Sequence, residues 1–228
     1  MNNDNPSDYP ATASGLHAAN SPTEVLDLLM EGNKRFQSGT LAPHDYRSLI
    51  NSTANGQNPV AIVLSCIDSR VPVEQVFDVS VGDIFSARVA GNVIGTTTLG
   101  SIEYAVGVSG VRLIVVLGHT RCGAATAAVE AVVKGHNPPQ ATECIHLPSI
   151  IEKMAPLIDK DQLANFEQSE RAEQIAAVDE IAKQNVLATC ESLSTRSPVI
   201  ARLSGEGELK VTGAMYDVTS GTIELLSP

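Results

Sequence analysis

The chain has 228 residues, 43% of them hydrophobic and 18% charged, and a formal net charge of -11. That balance suits a folded protein with a sizeable core, in one domain or two small ones, and argues against general disorder. The negative charge argues against nucleic acid or an anionic membrane surface as partner, and no apolar run approaches the roughly 18–20 residues of a membrane span.

Residues 1–20, rich in Asn, Pro, Ser and Ala, read as a flexible arm, mobile or draped. Their start has neither a basic n-region nor an apolar h-region, so it does not read as a signal peptide. Four cysteines, none close-paired, do not read as a disulfide framework. A cytoplasmic protein with reduced thiols is expected, with the periplasm left open for a chain whose leader has been removed.

"SPTE" (Ser21 to Glu24) supplies an N-cap serine, a proline at the first helical position and a glutamate at the third. Val25, Leu28, Leu29 and Phe36 keep helical spacing behind it, which predicts a helix over about 22–38. "NSTANGQNP" (51–59) reads as a loop. Strands over 60–65, 83–88 and 111–117 then alternate with helices over 96–108 and 122–134. Continuous Val/Ile/Leu runs without polar alternation suit strands covered on both faces, hence a mostly parallel sheet. "GHNPPQ" (135–140) breaks the chain, and helices follow over roughly 148–158 and 168–193. The tail reads as two strands joined at Thr219-Ser220-Gly221, a hairpin at the sheet edge. The expectation is a single α/β domain over 21–228, with a central sheet of four to five strands flanked by helices and an N-terminal helical arm.

In an open parallel sheet, ligands gather at the carboxyl ends of the strands. Cys66 stands at the end of strand 60–65, in "SCIDSR". His119 lies just past strand 111–117, and Cys122 three residues on, at the start of a Gly/Ala-rich helix. If the two strands are sheet neighbours, two thiols and an imidazole converge. Cys₂His is a zinc ligand set that leaves a fourth position open, as catalytic zinc requires. The helix N-terminus would favour a Cys122 thiolate.

Each residue has a plainer reading. A lone strand-end cysteine is usually a small buried hydrophobe, and H-x-x-C alone is a weak signal. Asp68 and Arg70 alone could be a solvated ion pair on a turn, worth well under about 1 kcal/mol. Cys190 lies on the stripe Val178, Ala182, Val186, Cys190, Leu193 and reads as core. Cys144 and His146 could bind a metal but have no third partner nearby. His17, His44 and His136, in polar loop-like surroundings, read as solvated.

C-x-D-S-R followed about 50 residues later by H-x-x-C resembles the signature of the β-class carbonic anhydrases. The resemblance continues through "GDIFSARVAGN" (82–92), "GSIEYAV" (100–106) and "VTGAMYDVTSG", covers about 22–226 and leaves the arm uncovered. It implies reversible hydration of CO₂ to bicarbonate and a proton, with one zinc per chain on Cys66, His119 and Cys122 and water or hydroxide in the fourth position. Zinc lowers the pKa of bound water from about 15.7 towards 7. Asp68 and Arg70 resemble the family's dyad, in which the arginine holds the aspartate off the metal and ready to accept a hydrogen bond from the bound water. Some members close at low pH when the aspartate takes the fourth zinc position, and this chain keeps the residues for both states.

By motif position Gln57, Phe85, Ala90 and Tyr104 resemble the family's cleft residues, some supplied by a partner subunit, and the N–H of Gly123 resembles a bicarbonate donor. Phe85 and Tyr104 could equally be core, and Gln57 a polar loop residue. Ala90 stands where plant members carry a larger aliphatic residue. Val63 stands where a subset of bacterial members carries a tryptophan of an allosteric bicarbonate pocket, so that pocket is not expected. The resemblance implies a homodimer with shared active sites, often paired into tetramers. Gln57 lies nine positions before Cys66, at the other end of strand 60–65, and could reach only a neighbour's zinc. The helix at 22–38 offers apolar residues for such an interface. Three alternatives keep the cysteines in use: carbonyl sulfide or carbon disulfide as substrate, a non-catalytic structural zinc site with Asp68 as fourth ligand, and a Cys66–Cys122 redox pair.

Overall fold

A computed structural model describes residues 15–135 and 143–226. Five strands form one sheet in the order β2-β1-β3-β4-β5. They are β1 (Ala61–Ser65), β2 (Ile84–Arg88), β3 (Leu113–His119), β4 (Lys210–Tyr216) and β5 (Ile223–Leu226). The first four run parallel, and β5 returns antiparallel to β4 as an edge hairpin, as the tail predicts.

The apolar runs of β1 and β3 follow from burial on both sides. Ile62, Leu64, Ile114 and Val116 face a core shared with helices α4 (Thr96–Gly107), α5 (Gly123–Lys134), α6 (Pro148–Met154), α7 (Arg171–Arg196) and α8 (Pro198–Gly205). Ala61, Val63, Leu113, Val115 and Leu117 face a second core built from α1 (Pro22–Ser38), α3 (Val73–Val76) and the segment 15–20. A strand with two apolar faces has no polar alternation to show.

Capping follows the predicted chemistry at α1. Ser21 accepts the N–H of Glu24, Glu24 accepts that of Asn20, and Gly39 closes the helix at φ 70°. The most buried side of α1 meets this chain's own core, while Leu28, Met30 and Phe36 stay partly exposed. Val25, Leu26 and Leu29 are buried against this chain's own sheet. At Gly32 a Cβ would fall 1.8 Å from the Phe77 carbonyl oxygen, so α1 sits directly on the chain after α3. Of the expected arm, residues 1–14 lie outside the described residues. Residues 15–20 are draped and anchored, with Leu16 and Ala19 buried and Arg112 donating to the Ala19 carbonyl.

Some elements differ from expectation. Helix α2 (Tyr46–Thr53) takes up the first residues of the predicted loop 51–59. Its start is capped by Asp45, and Tyr46, Leu49 and Ile50 keep helical spacing, but the helix is only eight residues long and this chain buries none of them. Helix α8 opens with Ser197 as N-cap and Pro198 as its first residue, the same Ser-Pro opening that marks α1. The predicted helix 148–158 ends as α6 at Met154 and continues as a 3-10 turn over Ala155–Leu157. The predicted break over 135–140 lies, from residue 136 on, outside the described residues, as does His136.

His17 and His44 are not solvated. His17 contacts the fully buried carboxylate of Asp83 at 3.2 Å, and His44 contacts buried Asp78 at 3.1 Å. Loop-like sequence around a histidine does not reveal a carboxylate that arrives from far along the chain.

Candidate metal centre

Strands β1 and β3 are adjacent and parallel, with Ser65 paired to Leu117. That register sets the residue after β1, Cys66, beside the end of β3, where His119 is the last strand residue. Three residues later the chain turns into α5 with Cys122 at its N-cap. The two sulfurs and an imidazole nitrogen lie within 4.8 Å of one another, and all three residues are buried. Among the described residues this is the one cluster with a metal-ligand donor set. Exposed Cys144 and His146 form no such group with other described residues.

Local hydrogen bonds prepare these donors. His119 Nδ1 lies 2.9 Å from the Thr120 carbonyl oxygen, so its proton is donated there. The Nε2 atom is buried without a partner, which is costly unless something accepts its lone pair. Burial pulls the imidazole towards its neutral form, and the neighbouring Cys66 sulfur more than reverses this, so the ring's proton affinity rises.

The Cys66 thiol is lowered to about 4, chiefly because Cys122 donates to it; burial opposes this, and the Gly91 N–H adds a further donor at 3.2 Å. Cys122 is driven up for the matching reason, since it holds the proton that the two sulfurs share, and its burial adds to this. The amides opening α5 oppose that rise, as a helix N-terminus should. Two thiols, one shared proton and an unpartnered imidazole nitrogen fit a borderline-soft dication such as zinc, with three protein ligands.

Asp68 and Arg70 form a two-pronged pair. Arg70 Nε donates to Asp68 Oδ1 at 2.9 Å and its terminal nitrogen to Oδ2 at 2.7 Å. That guanidinium, with the Arg70 backbone N–H, holds the Asp68 carboxyl down at about 2 despite partial burial. Asp68 Oδ2 stands 3.9 Å from His119 Nε2, so the carboxylate faces the cluster. Arg70 also reaches the Arg121 carbonyl, between His119 and Cys122. The pair is partly solvated, with the Arg70 side chain about half exposed and that of Asp68 largely covered.

The remaining candidates divide. Ala90 begins the 3-10 turn Ala90–Asn92 whose next residue donates to Cys66. Gly123 is the first residue of α5, where a backbone N–H has no intrahelical acceptor. Phe85 and Tyr104 line an open groove of about 580 Å³ between β2 and α4, with Ile62, Ala87, Thr97 and Gly100. Tyr104 is 54% exposed and is not core. Cys66, His119 and Cys122 are not among the groove's lining residues. Gln57 is exposed on the loop before β1, at the opposite end of that strand from Cys66, and the fold does not bring it to its own chain's cluster.

Sequence reasoning missed Arg88, which ends β2 and donates to the carbonyls of Cys66 and Asp68, bracing the Cys66–Asp68 turn from beneath. Its signal was an arginine closing a strand in the same parallel sheet. Cys190 packs partly buried on α7 beside the core, and burial pushes its thiol to about 12, in keeping with a structural role.

A family model described as carbonic anhydrase matches residues 61–223. Carbonic anhydrase 2 of Mycobacterium tuberculosis is 36% identical over 203 residues, which span 88% of this chain and 91% of that protein. The carbonic anhydrase of Mycolicibacterium smegmatis is 37% identical over 208 residues, spanning 91% and 94%. Among solved structures, the β-carbonic anhydrase CafA of Aspergillus fumigatus matches at TM-score 0.64 and 28% identity, over 90% of this chain and 89% of that one. A chain from two tetrameric β-carbonic anhydrases of Sordaria macrospora has the same fold, with TM-score 0.67 at 23% identity over 90% and 98%.

Proposed function

The chain belongs to the β-class carbonic anhydrase family, and from that premise we propose that it hydrates carbon dioxide reversibly at a zinc ion held by Cys66, His119 and Cys122. The observation that carries this reading is the convergence of two buried thiols on a buried imidazole whose Nε2 has no partner. Bound there, zinc would supply Lewis acidity, bringing the ionisation of water near neutral pH.

The chain's own residues do the rest. Asp68, gripped through both oxygens by Arg70, accepts a hydrogen bond from the reacting water and turns its lone pair towards CO₂. The grip also keeps the carboxylate ionised and away from the metal. Ala90 and Phe85 supply apolar wall, and the Gly123 N–H a donor for the developing bicarbonate. A closed structural zinc site has less support, because Asp68 is the near fourth donor and Arg70 already occupies it. A redox pair leaves the orientation of His119 unexplained.

Two chains would complete one cleft. Gln57 is exposed and remote from its own cluster, while the Phe85–Tyr104 groove lies open along the edge strand β2. Both features suit a homodimer, alone or paired into a tetramer, in which each cleft receives Gln57 from the partner.

Stopped-flow CO₂ hydration by zinc-loaded protein, with carbonyl sulfide run in parallel, tests the reaction. Hydration abolished by a chelator and restored by zinc is expected; turnover of carbonyl sulfide alone would replace the substrate. Refolding Gln57→Ala together with His119→Ala should recover part of the activity, since some heterodimers carry one intact cleft. A fully active monomer would defeat the shared cleft.

A further inference from the structure

Helix α7 presses against the end of β3. At Gly118 a Cβ would fall 2.5 Å from Val186 and 2.7 Å from the Met215 sulfur, so helix and strand meet closely one residue before His119. From this helix two polar side chains reach peptide groups on either side of the metal cluster. Asp179 Oδ1 accepts the backbone N–H of Arg121 at 2.5 Å. Buried Asn185 donates through Nδ2 to the Gly91 carbonyl oxygen at 2.8 Å.

Both peptides lie in strained or narrow places. Arg121 sits at φ 57°, a left-handed conformation unfavourable for a residue with a Cβ, and forms half of the two-residue link between His119 and Cys122. Gly91 sits at φ 66° where a Cβ would fall 2.2 Å from Met154, and its N–H donates to the Cys66 sulfur. The Arg121 carbonyl is already engaged by Arg70, so Asp179 and Arg70 hold the two ends of that residue's polar backbone.

We propose that Asp179 and Asn185 are positioning residues for the metal centre: α7 clamps both ligand-bearing loops, Asp179 setting the His119–Cys122 spacing through Arg121 and Asn185 aiming the Gly91 N–H at Cys66. The inference rests on the reading that Cys66, His119 and Cys122 hold the metal. Outer partners of this kind typically alter metal affinity about 10–100-fold, because they fix ligand orientation before the ion arrives. An asparagine in place of Asp179 keeps an oxygen that accepts the Arg121 N–H, whereas alanine removes it. The exposed neighbour Glu180 shares the helix and accepts a hydrogen bond from Gln184 on that same helix, so it serves as a control.

The test uses the full chain, as zinc protein and with cobalt(II) substituted. Zinc retention is read by chelator competition, ligand geometry by the cobalt absorption bands, and folding by thermal unfolding of the metal-free chain. Asp179→Ala and Asn185→Ala should each weaken zinc retention about 10–100-fold and shift the cobalt bands. Asp179→Asn should return close to the parent, and Glu180→Ala should change nothing. Should Asp179→Ala fail to fold, Asp179→Glu keeps the charge, displaces the acceptor, and should still shift the bands. Unchanged retention and bands in the Asp179 and Asn185 variants overturn the clamp, even if they lower the unfolding temperature. So does an Asp179→Asn variant as impaired as Asp179→Ala. A parent chain that takes up neither zinc nor cobalt defeats the metal reading itself, and with it the clamp.

Discussion

Two buried polar clusters in this molecule use the same kinds of residue to opposite ends. In the segment leading into β2, Asp78 accepts from Arg35, from His44 and from the Ala42 N–H, while Asp83 accepts from His17 and the Ser80 N–H. There each histidine turns its Nε2 to a carboxylate, and negative charge meets its partners within the chain. At the carboxyl end of β1 and β3 the histidine is turned round. His119 engages a backbone carbonyl through Nδ1 and leaves Nε2 facing two sulfurs and Asp68. With both thiols ionised, that cluster holds more negative charge than Arg70 can balance, and the excess matches a divalent cation. Burial alone therefore does not distinguish a functional histidine from a structural one. The difference lies in which nitrogen is engaged and what the other one faces.

Removing a donor from the second cluster should have the largest effect. Cys122→Ser is expected to lose most of the one zinc per chain by elemental analysis and to lower CO₂ hydration by orders of magnitude. Full stoichiometry in that variant would move the site elsewhere, with Cys144 and His146 the first place to look. Arg70→Ala should keep zinc yet lower hydration about 10–100-fold, since Asp68 loses its anchor and can compete with water for the metal. Near-parent turnover at pH 8 would reduce Arg70 to a surface charge.

The first cluster should respond in stability alone. Arg35→Ala leaves buried Asp78 with His44 and the Ala42 N–H, and should cost about 1–3 kcal/mol in denaturant unfolding while zinc content stays unchanged. Burial pushes the Asp78 carboxyl up, but Arg35, Ala42 and His44 more than offset this and hold it below the ordinary range. Its ionised form therefore contributes stability that is fully present above the unfolded value near about 3.9 and is lost as pH falls through the folded value. Asp78→Asn should be less stable at neutral pH and decline less steeply below about pH 4. An identical acid limb in both proteins would show that Asp78 is not a source of it. Smallest of all, Cys190→Ser should cost about 1 kcal/mol through the partly buried hydroxyl and leave metal content untouched. Loss of metal there would break the division between structural and metal-facing cysteines.

Much of the architecture was legible one segment at a time. Ser21, Pro22 and Glu24 announced the start of α1 because capping is a contact among near neighbours. The runs 61–65 and 113–117 announced covered strands because every residue meets an apolar face. Helix α2 escaped because its period, Tyr46, Leu49 and Ile50, is short and runs into a Gly/Asn-rich stretch, and the apolar residues of α1 read as suited to a subunit interface although Val25, Leu26 and Leu29 meet this chain's own second core. An apolar stripe shows that a helix is covered without showing by what.

What the sequence determined by itself was therefore local: element types, caps, and the C-x-D-S-R and H-x-x-C pairs that bring chemically matched donors within a few residues of each other. Tertiary structure decided the rest. The order β2-β1-β3-β4-β5 made β1 and β3 neighbours, and only that adjacency turns Cys66 and His119, far apart in the chain, into one cluster. The same packing gave His17 and His44 their carboxylates and brought Asp179 and Asn185 onto loops about 60 and 90 residues distant. The physical reason is common to all of these. A hydrogen bond or ligand set between distant residues depends on strand pairing and helix packing, and neither leaves a period or a spacing along the chain.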